Sequence, residues 1–114
     1  MRKLAYFFVK MALRAISWQS NEKHKLGCIV TNKVGRVLST GYNKRYKNGH
    51  LIHAEVMALS KLTVEERYGA IVYCSWSPCK YCEQYMRDYG VSHVIYEQEY
   101  KGNRPAPHDL CEKF

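Results

Sequence analysis

From Leu4 to Trp18 the apolar residues Leu4, Phe7, Phe8, Met11, Ala12, Ala15 and Ile16 recur every three or four positions, with Lys3, Lys10, Arg14 and Gln19 opposite them. That period predicts an amphipathic helix whose apolar stripe faces a core. Two short β-prone runs follow, Leu26 to Thr31 and Arg36 to Thr40, separated by the turn-like Asn32-Lys33-Val34-Gly35. They predict a β-hairpin. The stretch from Gly41 to Gly49 mixes glycine, asparagine and the cations Lys44, Arg45 and Lys47, and predicts a loop long enough to shape a site. A second helix is predicted from His53 through Leu62. After Gly69, Ala70 to Ser75 has the apolar density of a buried strand. Ser77-Pro78 signals a helix start, because a serine caps orphan amides and a proline at the first helical position loses nothing. The helix from Cys79 should end at Gly90, and Val91 to Tyr96 predicts a fourth strand. From Pro105 to Phe114 the pattern supports only a short helical turn.

The order helix, two strands, helix, strand, helix, strand is that of an α/β fold, and the later strand-helix-strand crossings make part of its sheet parallel. Sites in such sheets gather at strand carboxyl ends and helix N-termini. A chain of 114 residues, 46% hydrophobic and 25% charged, predicts one domain over residues 1–114. Lys10 and Arg14 cut the apolar run at the start too short for a signal peptide core or a membrane span. The cysteine count of 5 is odd, and two sit in a C-x-x-C pair, which fits a metal site in a reducing cytosol better than a disulfide framework. The formal net charge of +8 would draw a polyanion or a phosphate-bearing small molecule, or simply keep the surface solvated.

Two clusters carry the chemistry, His53-Ala54-Glu55 and Pro78-Cys79-Lys80-Tyr81-Cys82. Both fall at predicted helix N-termini. Cys79 and Cys82, three apart, lie on one side of a helix start, where both sulfurs can reach one ion at ~2.3 Å. The partial positive charge of that helix end favours thiolates. His53 supplies a third ligand, and three ligands leave the fourth tetrahedral position of Zn2+ for water. Glu55, two residues on, is then a carboxylate outside the ligand set that can move protons. Cys28, Cys74 and Cys111 read as small core residues. Tyr81, Tyr85 and Tyr89 recur every four residues and suit a helix or oligomer contact.

On these motifs the chain resembles the zinc-dependent cytidine and deoxycytidylate deaminase superfamily, over roughly Leu4 to Tyr96. The resemblance implies a three-layer α/β/α fold around a central mixed β-sheet, Zn2+ held by His53, Cys79 and Cys82, and Glu55 as proton shuttle. It implies hydrolytic deamination of a cytosine nucleotide such as dCMP, with release of ammonia. Ser39-Thr40-Gly41-Tyr42-Asn43 looks like the S-x-G-Y-N segment of deoxycytidylate deaminases, which makes Asn43 a ligand for sugar or phosphate. By the same likeness the Ala54 amide and a carbonyl near Trp76 or Ser77 grip the pyrimidine edge. Lys44 and Arg45 are candidates for a 5'-phosphate. Met57 departs from the asparagine common at that position in deoxycytidylate deaminases.

A second reading rests on Ser75-Trp76-Ser77-Pro78-Cys79, which looks like the S-W-S-P-C run of polynucleotide cytidine deaminases of the APOBEC kind. On that reading the substrate is cytosine or adenine within single-stranded DNA or RNA, tracked by Lys44, Arg45 and Lys47 with Tyr42 and Tyr46 as stacking faces. A third is a non-catalytic zinc-stabilised binding module closed by Cys74 or His50, which leaves Glu55 without a role. A homo-oligomer is implied by the resemblance alone.

Overall fold

The computed structural model describes residues 2–99 and 110–114, with side chains from Tyr6 onward. The hairpin forms as its turn residues dictate: β1 (Gly27–Thr31) and β2 (Val37–Tyr42) pair antiparallel, with Gly27 opposite Tyr42 and Cys28 opposite Gly41. Gly35, at φ 89°, takes the left-handed conformation that closes the turn. The other edge of β1 pairs antiparallel with β5 (Ile71–Trp76), which pairs parallel with β6 (His93–Gln98). The last strand, β7 (Cys111–Lys113), lies parallel to β6, so the mixed five-stranded sheet has the order β2-β1-β5-β6-β7. The tail predicted as a helical turn is therefore a strand at residues 111–113; Pro105, Pro107 and Asp109 lie outside the described residues. Three residues give periodicity too little length to register, and β7 is recruited by the exposed edge of β6.

Strand alternation sorts side chains onto two faces. Cys28, Val30, Val72, Cys74, Val94, Tyr96 and Cys111 join one buried core with Ala54, Ala58 and Leu59 of α2 (Ala54–Ser60) and Cys82 and Met86 of α4 (Lys80–Asp88). On the opposite face, α1 (Arg2–Ser17) lies so close to β1 that a Cβ on Gly27 would stand 2.8 Å from the Leu13 carbonyl oxygen. Helix, sheet and helix thus form the three layers expected. The α1 stripe is not the predicted one: Leu13 is fully buried, whereas Phe7, Phe8 and Met11 are more than half exposed. The helix carries apolar residues on two sides, and the sheet takes only one of them.

Helix ends follow local chemistry. Gly90 (φ 79°) terminates α4 in a Schellman arrangement, with Gly90 N donating to Arg87 O and Val91 N to Met86 O. The start of α4 is a correction, since Cys79 rather than Ser77 occupies the N-cap, and its sulfur accepts from Cys82 N. A short α3 (Val64–Arg67) opens on a Thr63–Glu66 capping box, whose T-x-x-E spacing is visible in the sequence. The predicted loop from Gly41 to Gly49 is partly ordered as well. Its residues β3 (Lys44–Arg45) pair with β4 (Leu51–Ile52) in a two-residue ribbon ending immediately before His53.

The Ser39 to Asn43 segment docks this scaffold. Ser39 Oγ donates to Ala58 O at 2.8 Å, and Tyr42 N approaches Met57 Sδ at 3.4 Å. Gly41 has no room for a side chain: a Cβ there would lie 2.4 Å from Ala54 O and 2.7 Å from Ala58 N. Buried Asn43 holds the chain at residues 24–26, accepting from Leu26 N at 2.9 Å and donating through Nδ2 to His24 O at 2.7 Å.

Two outcomes follow for stability. Gly41→Ala should destabilise the fold by about 2–3 kcal/mol in urea unfolding, because overpacking here meets helix backbone. Asn43→Ala should cost about 2–4 kcal/mol in the same measurement, as it strands the Leu26 amide and the His24 carbonyl; a change below about 0.5 kcal/mol would show that the carboxamide does not hold this segment.

Candidate metal centre

His53 and Cys79 occupy equivalent places. Each is the extended N-cap residue of a helix, His53 of α2 (φ −74°, ψ 152°) and Cys79 of α4 (φ −71°, ψ 165°). An extended cap turns its side chain back across the helix end, and both ends open on the same side of the sheet. His53 Nδ1 consequently stands 3.7 Å from Cys79 Sγ and 3.1 Å from Cys82 Sγ. The donor atoms of all three residues lie within 4.8 Å of one another. Among the described residues neither Cys74 nor His50 belongs to that cluster, which does not favour the closed four-ligand site of the third reading.

The donor set fits Zn2+. One imidazole nitrogen and two sulfurs on rigid helix starts make three corners of a tetrahedron, and the fourth remains for a non-protein ligand. The two thiols shift in opposite directions. Cys79 accepts a hydrogen bond from the Cys82 thiol and another from the Cys82 amide, which hold its pKa down to about 5. Cys82 is pushed up by the same bond, by burial and by Glu55. A divalent cation stabilises both sulfurs as thiolates and relieves that competition.

Glu55 is 6% exposed and its carboxylate lies outside the three-donor cluster. Burial pushes its carboxyl above the ordinary value, while its own backbone amide, His53 and a hydrogen bond with Cys82 work the other way. A carboxylate disfavoured by burial takes up a proton more readily than an exposed one, which suits general acid and base work.

The other candidate residues fall around this centre unevenly. Ala54, fully buried, is the first residue of α2 and its amide is one of those at the helix N-terminus. Trp76 ends β5, half-buried, with its ring edge-on to His24 at a centroid distance of 4.9 Å. Ser77 is buried and its amide donates to Gln98 O at 2.7 Å. Lys44 and Arg45 are exposed on the ribbon beside a recess of about 620 Å³, which Tyr46, Lys47 and Asn48 also line. Arg45 is already engaged, by Glu22 Oε1 at 3.1 Å and Gly49 O at 2.8 Å. Lys44 Nζ sits 5.5 Å from the centre of the Tyr46 ring. Sequence reasoning missed the segment carrying Glu22 and His24, which meets Arg45, Asn43 and Trp76. These are long-range contacts, and no local spacing announces them.

Comparison with known proteins gives the family and the fold. The chain is 29% identical over 119 aligned positions to the deoxycytidylate deaminase of Saccharomyces cerevisiae, covering 83% of this chain and 38% of that protein. It therefore spans well under half of that relative's length. The dCMP deaminase of cyanophage S-TIM5 in apo form superimposes with a TM-score of 0.69 at 28% identity, covering 82% of each chain. The same enzyme in complex with dCMP and dUMP gives 0.72 at 26% identity, covering 88% of this chain and 85% of that one. The family model for the cytidine and deoxycytidylate deaminase zinc-binding region matches residues 2–98, and it is to this family that the chain belongs.

Proposed function

We propose that the protein hydrolyses the exocyclic amino group of a free cytosine nucleotide of the dCMP type, giving the uracil nucleotide and ammonia. The observation that carries the reading is the meeting of His53, Cys79 and Cys82 within 4.8 Å beside a buried carboxylate that is not part of the cluster. The cyanophage relative bound to dCMP and dUMP supports a nucleotide of that size.

In this reading His53 Nδ1 and the sulfurs of Cys79 and Cys82 hold Zn2+, which when bound supplies Lewis-acid activation of water near neutral pH. Glu55 takes a proton from the attacking water and delivers it to the ring nitrogen next to the reacting carbon. The water oxygen bonds to that carbon. The proton left on that oxygen passes through Glu55 to the amino group, the C–N bond breaks as the C=O forms, and ammonia departs. The Ala54 amide and the backbone carbonyls at Trp76 and Ser77 orient the pyrimidine edge, and the Trp76 ring with its His24 neighbour covers the mouth. Asn43 contributes by fixing residues 24–26, and one amide proton of its Nδ2 remains for a sugar. Lys44 is the better placed phosphate partner, since Arg45 is committed to Glu22 and Gly49. The odd cysteine count and the C-x-x-C pair support a reducing compartment such as the cytosol.

Two measurements test the proposal. Glu55→Gln should lower kcat by about 10²–10⁴-fold with zinc content intact, whereas Cys82→Ala should lose the metal; an unchanged rate in Glu55→Gln rejects the shuttle. Assayed side by side on dCMP, deoxycytidine and a single-stranded oligonucleotide, the protein should prefer dCMP. Activity confined to the oligonucleotide and steeply weakened by salt would instead support the polynucleotide reading.

A further inference from the structure

The cations of the β3–β4 ribbon are answered by one carboxylate from a distant part of the chain. Lys44, Arg45 and Lys47 line the ribbon's recess. Of the three, only Arg45 has a carboxylate partner among the described residues. Glu22 Oε1 accepts from Arg45 Nη2 at 3.1 Å and from Nε at 3.3 Å, while Gly49 O accepts from Nη1 at 2.8 Å. A guanidinium is the side chain best shaped to grip phosphate oxygens in pairs, so its capture by a carboxylate beside a basic recess is informative.

Glu22 is held in place by its own turn. The buried Ser20 hydroxyl accepts the Glu22 amide at 3.1 Å, and Lys25 Nζ donates to the carbonyls of Ser20 and Glu22 at 2.5 and 3.2 Å. With 22% of its side chain exposed, Glu22 is screened less by salt than a carboxylate on open surface. The pair also stands between the two segments that lead to the metal ligands. Lys44 is opposite Ile52, the residue before His53. Glu22 is followed closely by His24, whose ring meets Trp76 at the end of β5, ahead of Cys79.

We propose that Glu22 is a specificity-determining residue that limits the nucleotide to a single phosphate. The inference rests on the dCMP-type reading and deepens it. Lys44 and Lys47 supply one positive charge each, which together match the roughly −1.5 to −2 of a phosphomonoester. A di- or triphosphate needs a further cation, and the next one on the ribbon, Arg45, is neutralised and turned aside. The Glu22 carboxylate repels the added phosphates as well. Discrimination of this kind comes from an element that penalises the longer ligand, with no extra contact to the shorter one.

Ammonia release by the zinc-loaded chain from dCMP and from dCTP tests the proposal. The wild type should favour dCMP in kcat/KM. In Glu22→Gln the dCTP-to-dCMP ratio should rise about tenfold through the KM for dCTP, and adding Arg45→Gln should remove that gain. Glu22→Ala takes its place should the glutamine variant not fold. Calorimetric binding of dUMP and dUTP, which have no amino group to lose, should show the same change of ratio without turnover. An unmoved ratio in Glu22→Gln with dCMP still turned over, or a gain that survives Arg45→Gln, would overturn the proposal and leave the dCMP reading standing. A wild type that acts on a single-stranded oligonucleotide and on neither free nucleotide would overturn both.

Discussion

Everything the protein does chemically depends on two helix starts being held against one another on one face of the sheet. The close seat of α2 on the hairpin is possible because Gly41 has no side chain and because Ala54 and Ala58 are small and fully buried. On the same face Met86 and Cys82 sink α4 into a core shared with α2. With both helices seated, their N-caps His53 and Cys79 have nowhere to point except toward each other, and Cys82 follows one turn later. The metal centre is a consequence of backbone packing before it is a matter of ligand identity.

The electrostatics show what that arrangement demands. An imidazole, two thiols and a carboxylate lie together in a partly or wholly buried space, and their protons are in competition: Cys79 is drawn toward the thiolate as Cys82 and Glu55 are driven toward their neutral forms. A cation bound by the two sulfurs and the imidazole reconciles them. Glu55 then remains a buried carboxyl beside those donors and outside the ligand set. The ribbon of β3 and β4 ends immediately before His53, and Trp76 at the end of β5 meets His24 of the segment that Asn43 holds.

Much of this is legible in the sequence, for identifiable reasons. The hairpin, β5, α4 and β6 are announced by alternation, by Gly35 and by the left-handed stop at Gly90, all local effects. The H-A-E and P-C-x-x-C spacings lead to the three donors that the fold brings together, since each motif marks a helix start. What escapes is long-range. Phe7, Phe8 and Met11 share the α1 period with core residues, so periodicity shows amphipathicity without showing which side the sheet will take. The cap moves from Ser77 to Cys79 because the cysteine sulfur can accept the Cys82 amide. Asn43, expected from a family segment to bind substrate, also anchors residues 24–26 through its buried carboxamide, a structural role that no local spacing announces. The β7 strand is too short to carry a period and exists because β6 has an edge to fill.

X-ray absorption at the zinc edge, on the intact chain loaded with one equivalent of the metal, tests the central claim most directly. The account predicts two sulfur neighbours at ~2.3 Å and two nitrogen or oxygen neighbours at ~2.0–2.1 Å, one from the imidazole and one from solvent. A shell of three or four sulfurs, or a chain that does not retain the metal, would contradict it.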